Sequence, residues 1–215
     1  MDKSAIRKFA VDARVKLIEQ VKQKASEIGI TADRIIELPR KNKHLQNEVF
    51  KKKREQLISA VKSKGFEQVM EEVAYTWFSS FIALRFMEVN GYLPTGVRLL
   101  SSADSARVEP DIFEAVVNVD LDLDLEKVSK LQDKGHKEGL FKCLILAQCN
   151  GLHQIMPFMF KQINGYSELL FPDNLLAEDS VIQDMISSID EEDWREVEIV
   201  GWLFQFYMQR KKNEV

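Results

Sequence analysis

The chain of 215 residues is 45% hydrophobic and 30% charged, and it contains only nine glycines and five prolines. This composition favours a helical globular protein over a disordered or all-β one, and the chain is large enough to bury most of its apolar surface. Cys143 and Cys149 lie six residues apart in a helical pattern, too far around and along the helix to form a disulfide, and no apolar leader follows the first residues. We therefore expect free thiols and a cytoplasmic location.

Charge is unevenly distributed along the chain. Residues 1–70 hold 17 Lys and Arg against 9 Asp and Glu, a net charge of +8, whereas the rest hold 13 against 25, a net charge of −12. A basic surface can meet phosphates, while an acidic one repels them or faces a basic protein. We expect one helical domain over residues 1–215, with a basic part at 1–65 and an acidic part, which includes the core, at 66–215.

The first predicted element is an amphipathic helix over residues 4–27. Apolar residues recur there at helical spacing, Ser4 is a suitable N-cap, and Gly29 ends the pattern. A short second helix is predicted to follow, with Thr31 as its cap and Pro39 as its stop.

A basic segment then occupies residues 40–64 and ends before Gly65. A helix of this kind covers a core with one face and leaves the others in solvent. Its narrow apolar stripe consists of Leu45, Val49, Leu57 and Val61.

Residues 66–89 form the most apolar predicted helix. Aromatic and aliphatic side chains cover most of its circumference, which indicates a helix wrapped by others. Polar residues interrupt the apolar run, which is shorter than the roughly 20 residues that a bilayer span needs. Arg85 lies inside this helix, and a buried guanidinium requires a carboxylate. We expect it to pair with Glu88 or with an acidic group from another helix, and we expect a long loop to follow through residue 105.

The remaining chain alternates between turns and helices. Pro110 suits the first turn of a helix that ends near residue 119, and further helices are predicted over residues 140–152, 180–189 and 194–212. Residues 119–125, VDLDLDL, alternate between apolar and polar side chains, which fits an edge strand and a helix entry equally well. The predicted fold is all-α, a multi-helix bundle around the apolar helix, with one short segment near 119–125 that is either extended or helical.

Five strings along the chain resemble a known family in their order and spacing. They are AYTWFSSFIALRFMEVNGYLPTGVRLLSS from residue 74, EPDI from 109, LFKCLILAQCNGLHQIMP from 140, LLFPDNLLAEDSVI from 169 and EIVGWLFQFY from 198. The chain resembles the amino-terminal region of the PglX-type adenine-specific DNA methyltransferases of BREX phage-defence systems. The resemblance implies a fragment of a longer bacterial cytoplasmic protein that uses S-adenosylmethionine to methylate adenine in double-stranded host DNA, alongside other BREX components.

Neither catalytic motif of such a methyltransferase occurs in these 215 residues. No two glycines are separated by a single residue, so the glycine-rich turn for S-adenosylmethionine is missing. No two prolines are adjacent, so the Asn-Pro-Pro-Tyr type of loop that holds a flipped adenine is missing as well. We predict no catalytic, cofactor-binding or metal-binding residue in this chain, and expect S-adenosylmethionine to bind only elsewhere in the longer protein.

Nuclease and metal chemistry are disfavoured by similar tests. No lysine has Asp or Glu two residues before it, as a metal-dependent nuclease site needs. Asp120, Asp122 and Asp124 lack the glycine of a calcium loop, and the three histidines have no partner at ligand spacing. Cys149 and His153 lie one helical turn apart, but no third group is placed to orient them.

The basic segment is the predicted nucleic-acid interface. Only Glu48 and Glu55 oppose its cations, and neutralising phosphates would give a sequence-independent affinity that weakens with salt. A solvated helix face is the alternative explanation, and Phe50 alone is available for stacking, so base reading is not indicated. The predicted contact residues are Arg40, Lys41, Lys43, Lys51, Lys52, Lys53, Arg54, Lys62 and Lys64.

Two functional hypotheses remain open. In the first, the chain is a non-catalytic amino-terminal domain of a DNA adenine methyltransferase and supports the DNA or the catalytic domain. In the second, it is a protein–protein interaction module of a defence complex, which docks a partner through its acidic part and makes no direct DNA contact. Neither hypothesis involves a membrane.

Overall fold

The computed structural model describes residues 1–36, 47–104, 106–157, 159–163 and 165–209. Within these ranges no β-strand occurs, and the prediction of an all-α fold is confirmed. The helices are α1 (Lys3–Glu27), α2 (Glu48–Lys64), α3 (Phe66–Val89), α4 (Ile112–Ala115), α5 (Leu125–Asp133), α6 (Lys137–Ile155), α7 (Tyr166–Leu169), α8 (Val181–Ser188) and α9 (Glu198–Gln209), with a 3₁₀ helix at Glu191–Arg195.

The chain folds as two compact units. Unit 1 comprises Met1–Ala13, Ser79–Gln162 and Asn174–Val215, and unit 2 comprises Arg14–Phe78 and Ile163–Asp173. The expectation of a single domain over residues 1–215 stays a prediction. Among the described helices, none combines the length and apolarity needed to cross a membrane.

The start of the chain differs from its predicted form in two places. The Asp2 carboxylate, rather than Ser4, caps α1, because its Oδ1 accepts from the backbone N–H of Ser4 at 2.8 Å. Residues 31–36, the described part of the predicted second helix, are not helical. Instead Gly29, at φ +74°, reverses the chain, and the Ile36 N–H donates to the Gly29 carbonyl at 2.8 Å. Pro39, the predicted stop of that helix, lies outside the described residues.

Unit 2 is built on apolar contacts supported by ion pairs. Trp77 on α3 meets Phe171 edge-on, with ring centroids 4.4 Å apart. The buried Arg14 guanidinium on α1 pairs with Glu71 on α3 at 3.2 Å. Lys24 on α1 pairs with Asp173 at 2.6 Å, which joins the two sequence segments of this unit.

A buried ion pair organises unit 1. Arg85 Nη1 donates to Glu88 Oε1 at 2.7 Å and to Ser101 Oγ at 2.8 Å, and both charged side chains are almost fully buried. The other carboxylate oxygen of Glu88 accepts from the backbone N–H groups of Leu99 and Leu100, at 2.9 and 2.7 Å. The expected pairing of Arg85 with Glu88 is therefore confirmed, and the pair also fixes the loop that follows α3.

Arg98 and Glu191 form a second ion pair next to the Arg85–Glu88 pair. Arg98 donates to both carboxylate oxygens of Glu191, each at 2.7 Å, and Arg85 Nη2 reaches the same carboxylate at 3.4 Å. The Arg98 guanidinium accordingly lowers the pKa of Glu191. Farther along the loop, Ser102 Oγ donates to Asp111 Oδ1 at 2.6 Å. The predicted long loop is thus tied down by side-chain hydrogen bonds.

The elements that follow the loop after α3 are shorter than predicted. The helix expected after Pro110 consists only of α4, the four residues Ile112–Ala115. Residues 120–124 are neither helix nor strand, and Asp124 Oδ1 caps α5 by accepting from the Lys127 N–H at 3.0 Å. The pattern at 119–125 is therefore an irregular segment that leads into a helix.

Later helices follow the prediction more closely. The helix α6 includes the predicted range and begins earlier, because the His136 imidazole caps it by accepting from the Gly139 N–H at 2.9 Å. Ser180, the first residue of the helix predicted over 180–189, is the N-cap of α8, and its side chain accepts from the Gln183 N–H. The last predicted helix is divided into the 3₁₀ helix and α9, and its final residues lie outside the described range.

We predict that Arg85→Met lowers the free energy of unfolding by about 3–5 kcal/mol, because it leaves the Glu88 carboxylate buried without its cation. Adding Glu88→Gln to this variant should restore part of the loss, since a neutral amide oxygen still accepts from the loop N–H groups. Urea denaturation of the two variants and the original chain measures both effects.

The control for this pair is Arg195→Met, which removes an exposed guanidinium that lies 3.3 Å from Glu192. Exposed pairs contribute little, so its effect should stay within about 0.5 kcal/mol. An Arg85→Met variant as stable as this control would show that the buried pair does not stabilise unit 1.

Candidate nucleic-acid interface

The described part of the basic segment is the helix α2, and its ends follow helix-capping rules. Asn47 Oδ1 accepts from the Val49 N–H at 2.8 Å, and Gly65, at φ +91°, ends the helix. Lys62 and Lys64 lie in the last turn, where cations interact favourably with the helix dipole. Part of the charge pattern therefore stabilises the helix itself.

One apolar residue anchors α2 in unit 2. Leu57 is fully buried, whereas Val61 is half-buried and Val49 is 59% exposed. Leu45, the first member of the predicted stripe, lies outside the described residues. The apolar contact is thus narrower than predicted, and neighbouring cations share the inner face of the helix.

The side chains of Lys53 and Arg54 contact neighbouring elements of unit 2. The Lys53 ammonium forms an ion pair with Glu168 on α7. Arg54 Nε donates to the Ile28 carbonyl at 2.9 Å, and its Nη2 donates to the Ile36 carbonyl at 2.6 Å. Burial lowers the pKa of the Arg54 guanidinium, although arginine remains charged at neutral pH. These two cations hold α2 against its neighbours and are poorly placed to meet phosphate.

Lys51 and Lys64 have carboxylate partners nearer the surface. Lys51 pairs with Glu48 at 2.9 Å within α2, and Lys64 pairs with Glu72 on α3 at 2.7 Å. The hydrogen bond to Glu72 raises the pKa of Lys64. Exposed pairs of this kind are weak, so a phosphate can compete for either ammonium.

Lys52 and Lys62 are the exposed cations of α2 that have no ion-pair partner in the described part of the chain. They are ten residues apart, about 15 Å along the helix, and the exposed carboxylate of Glu55 lies between them in sequence. The other predicted contacts, Arg40, Lys41 and Lys43, fall outside the described residues.

Arg34 is an exposed cation of unit 2 that sequence reasoning left out of the interface. The sequence predicts a helix at this position, whereas the structure shows Arg34 in the turn that Gly29 begins. The available signal was Gly29, because glycine adopts the positive φ that a tight turn needs without steric cost.

The other candidate groups do not form a reactive site. Burial raises the pKa of the Cys149 thiol to about 12, and His153 Nδ1 lies 2.7 Å from the Phe160 carbonyl. A buried thiol that stays protonated is a poor nucleophile. Both cysteines are free, and no group of three or more His, Cys, Asp or Glu side chains suited to a metal occurs among the described residues.

A small cavity lies in unit 1, next to the start of α6. Its volume is about 190 Å³, and its lining includes Phe113, Leu131 and His136, together with the ion-paired side chains of Glu109 and Lys137. Pockets for cofactor-sized ligands usually have about 300–1,000 Å³. This cavity is therefore too small for S-adenosylmethionine.

We predict that Arg54→Gln lowers the free energy of unfolding by about 1–2 kcal/mol, because the Ile28 and Ile36 carbonyls lose a charged donor. The matched control, Lys52→Gln, also removes one positive charge from α2 and should change stability by less than about 0.5 kcal/mol. Thermal and urea unfolding measure both variants. Equal effects would show that Arg54 has no structural role beyond its charge.

Two curated relatives match the chain, although no protein-family model does. The chain is 36% identical over 233 residues to the adenine-specific methyltransferase BrxX of Escherichia coli O9:H4 (strain HS) and 34% identical over 248 residues to the adenine-specific methyltransferase PglX of Lacticaseibacillus casei (strain Zhang). The matches cover 100% and 99% of the chain but only 19% and 20% of the relatives, so the chain spans about a fifth of their length. The predicted resemblance is confirmed: over its whole length, the chain is related to part of the PglX-type adenine-specific methyltransferases.

Proposed function

We propose that the chain is a non-catalytic amino-terminal part of a PglX-type adenine-specific DNA methyltransferase, where it supports the bound DNA or the catalytic domain. The observation that carries this proposal is the match of the whole chain to a fifth of two adenine-specific methyltransferases. The longer protein would transfer a methyl group from S-adenosylmethionine to adenine in host DNA, as part of a phage-defence system in the cytoplasm.

The chain's own residues do not fit S-adenosylmethionine. A glycine-rich turn needs closely spaced glycines, and the nearest pair here, Gly135 and Gly139, lies at the start of α6. A Cβ on Gly139 would lie 2.3 Å from His136 Nδ1, so the absence of a side chain there serves the helix cap. We assign the cofactor and the methyl transfer to the remainder of the longer protein.

Direct DNA contact is supported by a small set of exposed cations in unit 2. Its residues hold 14 Lys and Arg against 11 Asp and Glu, a net charge of +3, whereas unit 1 holds 16 against 23, a net charge of −7. Lys52, Lys62 and Arg34 are exposed, while Lys53 and Arg54 are engaged within the protein. We expect weak contact with the phosphate backbone that has no sequence preference.

The second candidate function is a protein-interaction module without DNA contact. The observation that favours it is the net charge of −7 on unit 1, since an acidic surface repels DNA and attracts a basic protein. The partner would be another component of the defence system or the catalytic domain itself.

We predict that the purified 215-residue chain neither binds S-adenosylmethionine nor methylates adenine, whereas the longer protein does both. Isothermal titration calorimetry measures cofactor binding, and transfer of a labelled methyl group to double-stranded DNA measures activity. Saturable micromolar binding or methyl transfer by the chain alone would contradict the non-catalytic assignment.

We also predict that Lys52→Gln/Lys62→Gln weakens binding of the chain to double-stranded DNA at low salt. If both ammonium groups contact phosphates, the slope of log affinity against log salt should fall by about 2. Fluorescence anisotropy with two unrelated duplexes measures the slope and should show the same loss on both.

The control variant Lys127→Gln/Lys134→Gln removes the same charge from exposed positions at α5 in unit 1. It should leave DNA binding nearly unchanged. No DNA binding at low salt, or equal losses in the two double variants, would favour the protein-interaction module.

A further inference from the structure

The helix α9 carries an exposed face that lacks charge. Val197, just before the helix, is 66% exposed and Met208 is 46% exposed. Gly201 and Gln205 are exposed as well. The spacing of these four residues, 4, 4 and 3, places them on one face, about 17 Å long. The opposite face buries Ile199, Leu203, Phe206 and Tyr207.

The missing charge distinguishes this face from an ordinary solvated helix surface. The exposed side of α9 carries one charge, Glu198 in its first turn, and residues 199–209 contain no Asp, Glu, Lys or Arg. A surface helix normally carries charged side chains opposite its buried stripe, and charged residues are depleted at the centre of protein interfaces. None of the four residues that form this face is a cation, whereas Lys3 and Arg7 lie over the Trp202 and Phe206 rings elsewhere on the helix. The face itself is therefore a poor candidate for phosphate recognition.

Gly201 gives a second, independent observation at the same place. It lies inside a helix, where glycine is less favourable than alanine, and a Cβ built on it would meet no atom within 4 Å. Neither a turn nor internal packing in the described structure requires glycine here. A glycine on an exposed, uncharged helix face permits close approach by the backbone of a partner.

The length of the relatives supports one partner, the rest of the longer polypeptide. They are about five times as long as this chain, and polypeptides of that size form several domains that cover one another's apolar surfaces. We propose that the face formed by Val197, Gly201, Gln205 and Met208 docks against the remaining polypeptide of the longer methyltransferase, through an apolar and uncharged surface of that polypeptide. This inference rests on the proposed function, because it requires the chain to be part of that longer protein.

The test compares thiol labelling in the 215-residue chain and in the longer protein. Gln205→Cys is introduced together with Cys143→Ser, which leaves the buried Cys149 as the other thiol of the chain. Ser129→Cys, exposed on α5, provides a matched reference site. In the chain alone, Cys at both positions should react with a maleimide at similar rates. In the longer protein, the position 205 thiol should react at least tenfold more slowly than in the chain, and unfolding in urea should restore its rate.

A second variant separates docking from a local change in the chain. Met208→Arg places a charge on the exposed face, so it should leave the unfolding midpoint of the chain unchanged but raise the labelling rate at position 205 of the longer protein at least fivefold. An unprotected position 205 in the longer protein would overturn the proposal. Concentration-dependent protection in the chain alone would overturn it too, since the occupant would then be a second copy.

Adenine methylation measured on the same preparations keeps this inference distinct from the proposed function. If the longer protein methylates adenine but its position 205 thiol reacts with the maleimide as fast as in the chain, only the docking surface is refuted. A protected position 205 in a longer protein that does not methylate adenine would refute the proposed function and leave the docking surface supported.

Discussion

Unit 1 depends on the buried ion pair between Arg85 and Glu88 and on the hydrogen bonds that the Glu88 carboxylate accepts from the following loop. Bringing Arg85 and Glu88 out of water is costly, and attraction between them offsets that cost only when the remaining donors and acceptors are also engaged. The Glu88 carboxylate meets this requirement with the Leu99 and Leu100 N–H groups and with Ser101 Oγ. Because these acceptor positions can be filled only when the loop returns over α3, the charge pair specifies the path of the loop as well as its own geometry.

The helix α2 shows that positive charge in a sequence is not the same as positive charge available at a surface. Lys53 and Arg54 use their charge to attach the helix to Glu168 and to two backbone carbonyls. Lys52, one position earlier, points to solvent. A row of consecutive cations on a helix must point in several directions, so only some of its members can lie on any one interface.

Features decided by near neighbours in sequence were predictable. The bounds of α3 and the Ser180 cap follow from helical periodicity and capping chemistry, and the Arg85–Glu88 pair follows from three-residue spacing on a helix. The order of the loop after α3 was not predictable, because Glu191, which binds Arg98, lies 93 residues farther along the chain. The same limit applies to the interface: a local pattern marks α2 as basic, but only the distant Glu168 and Ile28 show which of its cations are already engaged.

The Glu88 carboxylate contacts the loop through backbone N–H groups, which every residue except proline possesses. The contact therefore constrains the path of the loop between positions 88 and 101 more strongly than the residue types at positions 99 and 100. The alignments with the two relatives run to 233 and 248 positions for a chain of 215, so both contain gaps. We expect those gaps to lie outside this interval, and divergence within it to proceed by substitution alone.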